Sequence, residues 1–242
     1  MSNPTLVAGR GTISGVTSVE TIKPKKSLVE ETYDILLDAI CSGEFSPGDR
    51  LNQDDIAARL QVSRQPVNSA IAILKAERLL EDTGRRSVIV APLDPELMRA
   101  ITEYRLLVEP FAASAAVARR PDKAAALAQK VLTRGREAVA RGDIPKLLRA
   151  DRAFHEMLYL WAGNQVIQNS MRQTWNHIQR AMVEILRDPG KAVAIWDEHD
   201  GIIGAILADD RTGAAERMTA HIQNAYDRNF ALSEPAAETP GG

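Results

Sequence analysis

What this chain has least of is cysteine: Cys41 stands alone in 242 residues. A lone thiol excludes an intramolecular disulfide and a thiolate metal cluster, and it fits a reducing compartment. Beside Ile40 and close to Phe45, it reads as a small packed residue rather than a nucleophile. Long apolar runs are absent as well. No stretch approaches the roughly 20 apolar residues a membrane helix needs, and no signal-peptide pattern precedes the first domain, so a cytoplasmic protein with no membrane partner is expected. The third absence is surplus positive charge. The chain carries a formal net charge of -2, and carboxylates outnumber cations by one between Lys23 and Ala91. Strong non-specific affinity for nucleic acid is therefore not expected; any such binding would depend on a few cations gathered on one face and would be steeply salt-dependent.

What is present begins with Asp54 to Ile71, DDIAARLQVSRQPVNSAI. Ile56, Ala57, Leu60 and Val62, then Val67, Ala70, Ile71 and Leu74, form two short helical stripes with a break at Val62 to Ser63. Ser63 is a suitable N-cap for the second helix, and Pro66 falls within its first turn, where a missing N–H costs little. The exposed side of that helix would carry Arg64, Gln65 and Asn68, types that reach phosphates and base edges. Alone, this stretch fits an ordinary αα-hairpin equally well. The continuation decides between them. A Thr83-Gly84 turn within Glu81 to Arg86 is followed by the β-branched run Ser87 to Val90, stopped by Pro92, which makes a helix-turn-helix with a small hairpin as its wing.

The run from Ser27 to Pro92 resembles the winged-helix domain of the GntR family of bacterial transcription regulators. The residues that carry the likeness are ICSGEFSPGDRLNQDDIA (Ile40 to Ala57), VSRQPV (Val62 to Val67) and RRSVIVAP (Arg85 to Pro92). The family usually has Arg where this chain has Asn68 and Gly where it has Arg78, so its operator sequence need not be the usual one. The resemblance implies double-stranded DNA as partner. Ser63, Arg64, Gln65 and Asn68 would lie at the groove, and Arg85 and Arg86 would bring the wing to the backbone or minor groove.

Around this domain the organisation follows the punctuation. Residues 1–26 lack sustained periodicity and read as a flexible arm. Leu28, Ile35, Leu36 and Ile40 form a first amphipathic helix that ends at Ser42-Gly43. The winged helix spans residues 27–92. At Asp94-Pro95, an N-cap followed by proline at the first helical position, a second domain begins and extends over 93–232. Its first helix runs to about Arg120, and Pro110 should kink it. Breaks at Pro121-Asp122, Gly142-Asp143, Gly163-Asn164, Asp188-Pro189-Gly190 and Asp210 to Gly213 delimit five more helices. No strand is expected there, so the fold class is mainly α: a winged helix-turn-helix followed by an all-α bundle. The tail over 233–242 reads as disordered.

Asp151 and His155 are spaced i, i+4 beside Phe154 and Leu158, which puts carboxylate and imidazole on the inward face of one helix. His199 falls among Ile195, Ile202, Ile203 and Ile206, and His221 among Met218, Ile222 and Ala225. Three of the four histidines thus face the expected core, and with a buried Asp they suit Zn first, or Ni, Co, Fe or Mn. His177 sits with Gln173, Arg180 and Glu184 and reads as a solvated face. Trp175 and Trp196 read as core packing.

From Pro95 to about Phe230 the chain resembles the ligand-binding (FCD) domain of the FadR-type branch of that family, in its six-helix, VanR-like group. The family's metal-binding pattern falls on Asp151, His155, His199 and His221. The resemblance implies a divalent metal at the base of a pocket for a small organic acid, with Arg105 near that effector. Arg105 could equally pair with Glu109 on the helix surface. The expected function is therefore a homodimeric regulator, by default a repressor, that binds a palindromic operator and responds to the acid. A metal-responsive regulator without organic effector and a metal-dependent hydrolase are the alternatives. No catalytic residue is expected, because no further acid or base stands at a recognisable spacing.

Overall fold

A computed structural model describes residues 26–84 and 87–230, the last two by backbone only. The arm expected before Lys26, the wing cations Arg85 and Arg86, and the tail expected over 233–242 lie outside the described residues.

The first helix, α1 (Leu28–Cys41), starts at a capping box. Glu30 N donates to Ser27 Oγ at 3.2 Å and Ser27 N donates to the Glu30 carboxylate at 2.7 Å, satisfying two N–H groups that a helix start otherwise leaves unpaired. Next come β1 (Arg50–Asn52), α2 (Gln53–Leu60), α3 (Arg64–Ala76), β2 (Leu80–Asp82) and β3 (Ser87–Val90). β3 is the central strand, antiparallel to both others, with Leu51 opposite Val88 and Leu80 opposite Val90. The hairpin of β2 and β3 is the expected wing. β1 was not anticipated, because three residues are too few for alternation to show.

α2 ends at Gln61 in the left-handed region, φ 55°. Ser63 then occupies the N-cap position of α3, but its side chain makes no capping hydrogen bond. A capping hydroxyl accepts from the second or third helical N–H, and since the third residue here is Pro66, which has none, only Gln65 N–H is left for it. α3 is held instead by burial of Pro66, Val67, Ala70, Ile71 and Leu74 against Leu36 and Ile40 of α1. Val67, Ile71 and Leu74 each contribute about 1.5–3 kcal/mol by this burial.

The second domain consists, among the described residues, of α4 (Pro95–Arg119), α5 (Ala124–Arg141), α6 (Ile144–Ala162), α7 (Gln165–Leu186), α8 (Pro189–Leu207) and α9 (Arg211–Phe230), with no strand. Their boundaries follow the expected punctuation. Asp94, Asp143, Asn164 and Asp188 each accept backbone N–H groups as N-caps. Gly142 and Gly163 close α5 and α6 with φ near 62°, where a Cβ would be strained. α4 continues as one helix of 25 residues with Pro110 inside it. It packs against α6 and α9, while α8 packs against α5 and α9. Phe154, Leu158, Trp175, Trp196, Ile202 and Met218 lie at the centre of the core.

α7 joins the two domains. The Cys41 thiol donates to the Asn176 carbonyl at 3.5 Å, and Arg180 donates to the Ala91 carbonyl just before the domain boundary. Cys41 is buried, as expected, and burial pushes its thiol up to about 12. The solvated face expected around His177 is corrected in part: Gln173 and Glu184 are exposed, but Arg180 is buried and His177 half-buried, where a cleft lined by Ile73 of the winged helix and Leu97 and Ile101 of α4 meets α7. Periodicity within one helix cannot report a neighbouring domain. No helix among the described residues is long and apolar enough to cross a membrane.

Candidate functional site

Two sets of residues stand out, one in water and one in the core. On α3, Ser63, Arg64, Gln65 and Asn68 are exposed, while the other side of the helix is sunk in the winged-helix core. Arg64 Nε lies 2.9 Å from Asp54 Oδ1, both side chains being more than half exposed. Such a pair orients the guanidinium and adds little stability. It also puts a carboxylate beside the exposed cation, so the acidic balance of this domain is met locally at Arg64.

The second set lies where α4, α6, α8 and α9 meet. α6 brings Asp151 and His155, α8 brings His199 and α9 brings His221, all four buried. Ring nitrogens of the three histidines fall within 4.8 Å of one another. His155 Nε2 and His221 Nε2 are 3.3 Å apart, close to the ligand spacing around a tetrahedral ion with bonds of roughly 2.0–2.1 Å. Asp151 joins through Oδ1, 3.5 Å from His199 Nε2. This Asp151 oxygen and both His199 nitrogens are buried without hydrogen-bond partners. A buried polar atom left unpaired costs about 1–3 kcal/mol, and an ion between Asp151 Oδ1 and the facing His199 Nε2 would satisfy both, while His199 Nδ1 on the other side of the ring would stay unpaired.

Two further carboxylates complete the surroundings. His155 Nδ1 lies 2.7 Å from Glu109 Oε2, and His221 Nδ1 lies 2.8 Å from Glu198 Oε2. Arg105 directs Nε at Glu109 Oε1, 2.5 Å away, and its guanidinium sits 5.5 Å from the centre of the Trp175 ring. Arg105 therefore does pair with Glu109, but inside the core and beside His155 rather than on the helix surface. Arg228 and Asn224 of α9 hold Glu198 in turn, at 2.5 and 2.9 Å.

Electrostatics follow from this burial. Burial drives His199 well below the usual imidazole value, helped by His221 and His155; His221 is lowered by burial against the pull of Glu198. Burial raises Asp151, with His155 and His221 opposing. For Glu109 the burial penalty is overcome by Arg105 and His155, which hold its carboxyl well below the carboxylate range. Glu198 is held at about 2, since hydrogen bonds from His221 and Arg228 outweigh its burial. Burial thus favours the neutral forms of His199 and His221, the state in which an imidazole binds a cation.

Structure thus brings His155, His199 and His221 together with Asp151 against His199, and places Arg105 one residue further out. Sequence reasoning missed Glu109 and Glu198 as supports. Glu109 offered a signal, its i, i+4 spacing from Arg105, but Glu198 offered none, since adjacency to His199 puts it on another side of α8. Between α6 and α7 a cleft of about 240 Å³ is lined by Tyr159, Met171 and Trp175, and Tyr159 and Trp175 also pack near the His155 ring.

Comparison with known proteins adds the following. Residues 28–90 match the family of bacterial regulatory proteins, gntR family, and residues 100–224 match the FCD domain. The HTH-type transcriptional regulator LutR of Bacillus subtilis is 28% identical over 213 residues, covering 78% of this chain and 94% of that one. The gluconate operon transcriptional repressor of the same organism is 25% identical, covering 78% and 79%. A crystal structure of a putative GntR transcriptional regulator from Rhodococcus sp. RHA1 superimposes with a TM-score of 0.75 at 25% identity, over 85% of this chain and 99% of that one. These relatives are transcription regulators, not enzymes.

Proposed function

The chain belongs to the GntR family of bacterial regulatory proteins and carries an FCD domain, and from that premise we propose that this transcription regulator is a cytoplasmic repressor controlled by a small organic acid. It binds a palindromic operator as a homodimer. The observation that carries the DNA reading is the first turn and a half of α3: Arg64, Gln65 and Asn68 stand in solvent above a buried apolar stripe. Arg64 reads a base or clamps a phosphate, Gln65 and Asn68 contact base edges, and Arg85 with Arg86 bring the wing to the duplex. Leu107 and Phe111, exposed on one side of α4, support pairing with a second copy.

For control, Asp151, His155, His199 and His221 would hold a divalent ion, Zn first among candidates. That ion would supply a Lewis-acid anchor for a carboxylate. Arg105 turns Nε and Nη2 to Glu109, which leaves Nη1 for the acid. The cleft beside Trp175 and Tyr159 supports entry from the side of α6 and α7. Bound acid must favour one dimer arrangement over another to change operator affinity.

The test is selection of bound sequences from a random DNA pool by the full-length protein. A short palindrome should be enriched, and small carboxylates should then release the metal-loaded protein from it. No enrichment by a folded dimer would remove the regulator's autonomous reading of DNA.

A further inference from the structure

The three imidazoles of the buried centre are held in two different ways. His221 Nδ1 is hydrogen-bonded to the Glu198 carboxylate at 2.8 Å, and His155 Nδ1 lies 2.7 Å from Glu109 Oε2, an ion-pair contact without hydrogen-bond geometry; outer carboxylates of this kind support most metal-bound histidines. His199 has none, and both of its nitrogens are without a hydrogen bond. Packing fixes this ring instead. Phe154 stacks on it with centroids 3.8 Å apart and planes 16° from parallel. Trp196, one turn earlier on α8, meets it edge-on at 4.8 Å and 88°.

Trp196 itself has room only because α5 carries glycine opposite it. A Cβ at Gly135 would lie 2.1 Å from Trp196 Cζ2 and Cη2, far inside contact distance. Glycine in a helix interior is about 1 kcal/mol worse than alanine. Gly135 has no positive φ and sits six residues before the end of α5, so neither a turn nor a cap accounts for it. Close approach of the indole does.

We propose that Gly135 and Trp196 are positioning residues for His199: the indole, seated on the bare α5 backbone, clamps the imidazole against Phe154 and turns Nε2 toward Asp151. The inference rests on the metal reading of this site. It makes His199 the one of the three histidines held by shape, with no carboxylate at Nδ1.

Cobalt(II) titrated into the metal-free full-length protein tests it, read by visible absorption, which reports coordination geometry. Gly135→Ala should weaken cobalt affinity about 10- to 100-fold, the range for losing an outer support, and should change the band. Gly135→Ala combined with Trp196→Phe should restore both, because phenylalanine lacks the outer ring atoms that the new methyl meets. Unchanged affinity and spectrum in Gly135→Ala would overturn the clamp. So would a loss that the double variant fails to repair, which would mean general damage to the core. Should the wild-type protein take up no cobalt, the metal reading fails by itself, and proton NMR of the metal-free protein still decides the clamp. The His199 ring protons, shifted upfield by Phe154, should move in Gly135→Ala and return in the double variant; identical positions in all three proteins would overturn it.

Discussion

The two domains carry their functional residues in opposite ways. On the winged helix, Arg64, Gln65 and Asn68 stand in water on a helix whose other side is the core, tied down by one exposed ion pair. In the helical domain, Arg105, Glu109, Asp151, His155, His199 and His221 are all buried. Solvent answers for the first set; only neighbours answer for the second. A surface side chain can therefore change what DNA is read with little effect on the fold, whereas a change in the core set alters folding and ligand affinity together.

The largest effect that would test this contrast is at Glu109. Glu109→Gln removes the ion-pair partner of the buried Arg105 guanidinium and the carboxylate beside His155. Breaking one side of a buried pair costs about 3–5 kcal/mol, so denaturation of the metal-free protein should move by that much. Metal affinity should fall about 10- to 100-fold as His155 loses its outer support. Replacing the pair together, Arg105→Met with Glu109→Leu, separates the two roles. Stability should recover, because a packed apolar pair is often neutral or better, while metal affinity stays low. Full affinity in the double variant would mean that Glu109 acts only as the partner of Arg105.

The same contrast governs what could be read from the sequence. Helix boundaries were legible because they are local: Asp94-Pro95, Gly142-Asp143, Gly163-Asn164 and Asp188-Pro189 stop and start helices through their own backbone chemistry. The buried histidines were legible because histidines on an apolar stripe are out of place. Supports were not. Arg105 and Glu109 at i, i+4 look like any exposed pair until α6 covers them, and Gly135 is one small residue until Trp196 is placed against it. His177 was misread for the same reason, part of its cover coming from a different domain. β1 was too short to leave a pattern.

A smaller effect is expected on the exposed side. Arg64→Ala should leave thermal stability within about 0.5 kcal/mol of wild type, the usual range for surface changes. Operator affinity should fall by about 1–3 kcal/mol if Arg64 reads a base. Measured across operator variants at fixed salt, a loss confined to one base position assigns base readout; a uniform loss with a shallower salt dependence assigns a phosphate contact. Substantial unfolding by Arg64→Ala would break the contrast between the two domains.

The smallest effect concerns backbone rather than side chain. Arg78, after the last turn of α3, sits in the left-handed region at φ 58°, and it is the position where the resemblance noted above has glycine. Left-handed geometry costs an L-residue about 1–2 kcal/mol, and glycine costs about 0.5–1 kcal/mol in extra chain entropy. The difference favours glycine, so Arg78→Gly should stabilise the protein by about 0.5–1 kcal/mol, read as a higher urea midpoint at unchanged slope. Arg78 also lines the cleft between the domains with His177 and Arg180. Lower stability in Arg78→Gly would therefore show that its side chain holds the junction. That position would then answer to its neighbours, as the core set does, and the line between the two kinds of residue would run through the junction rather than between the domains.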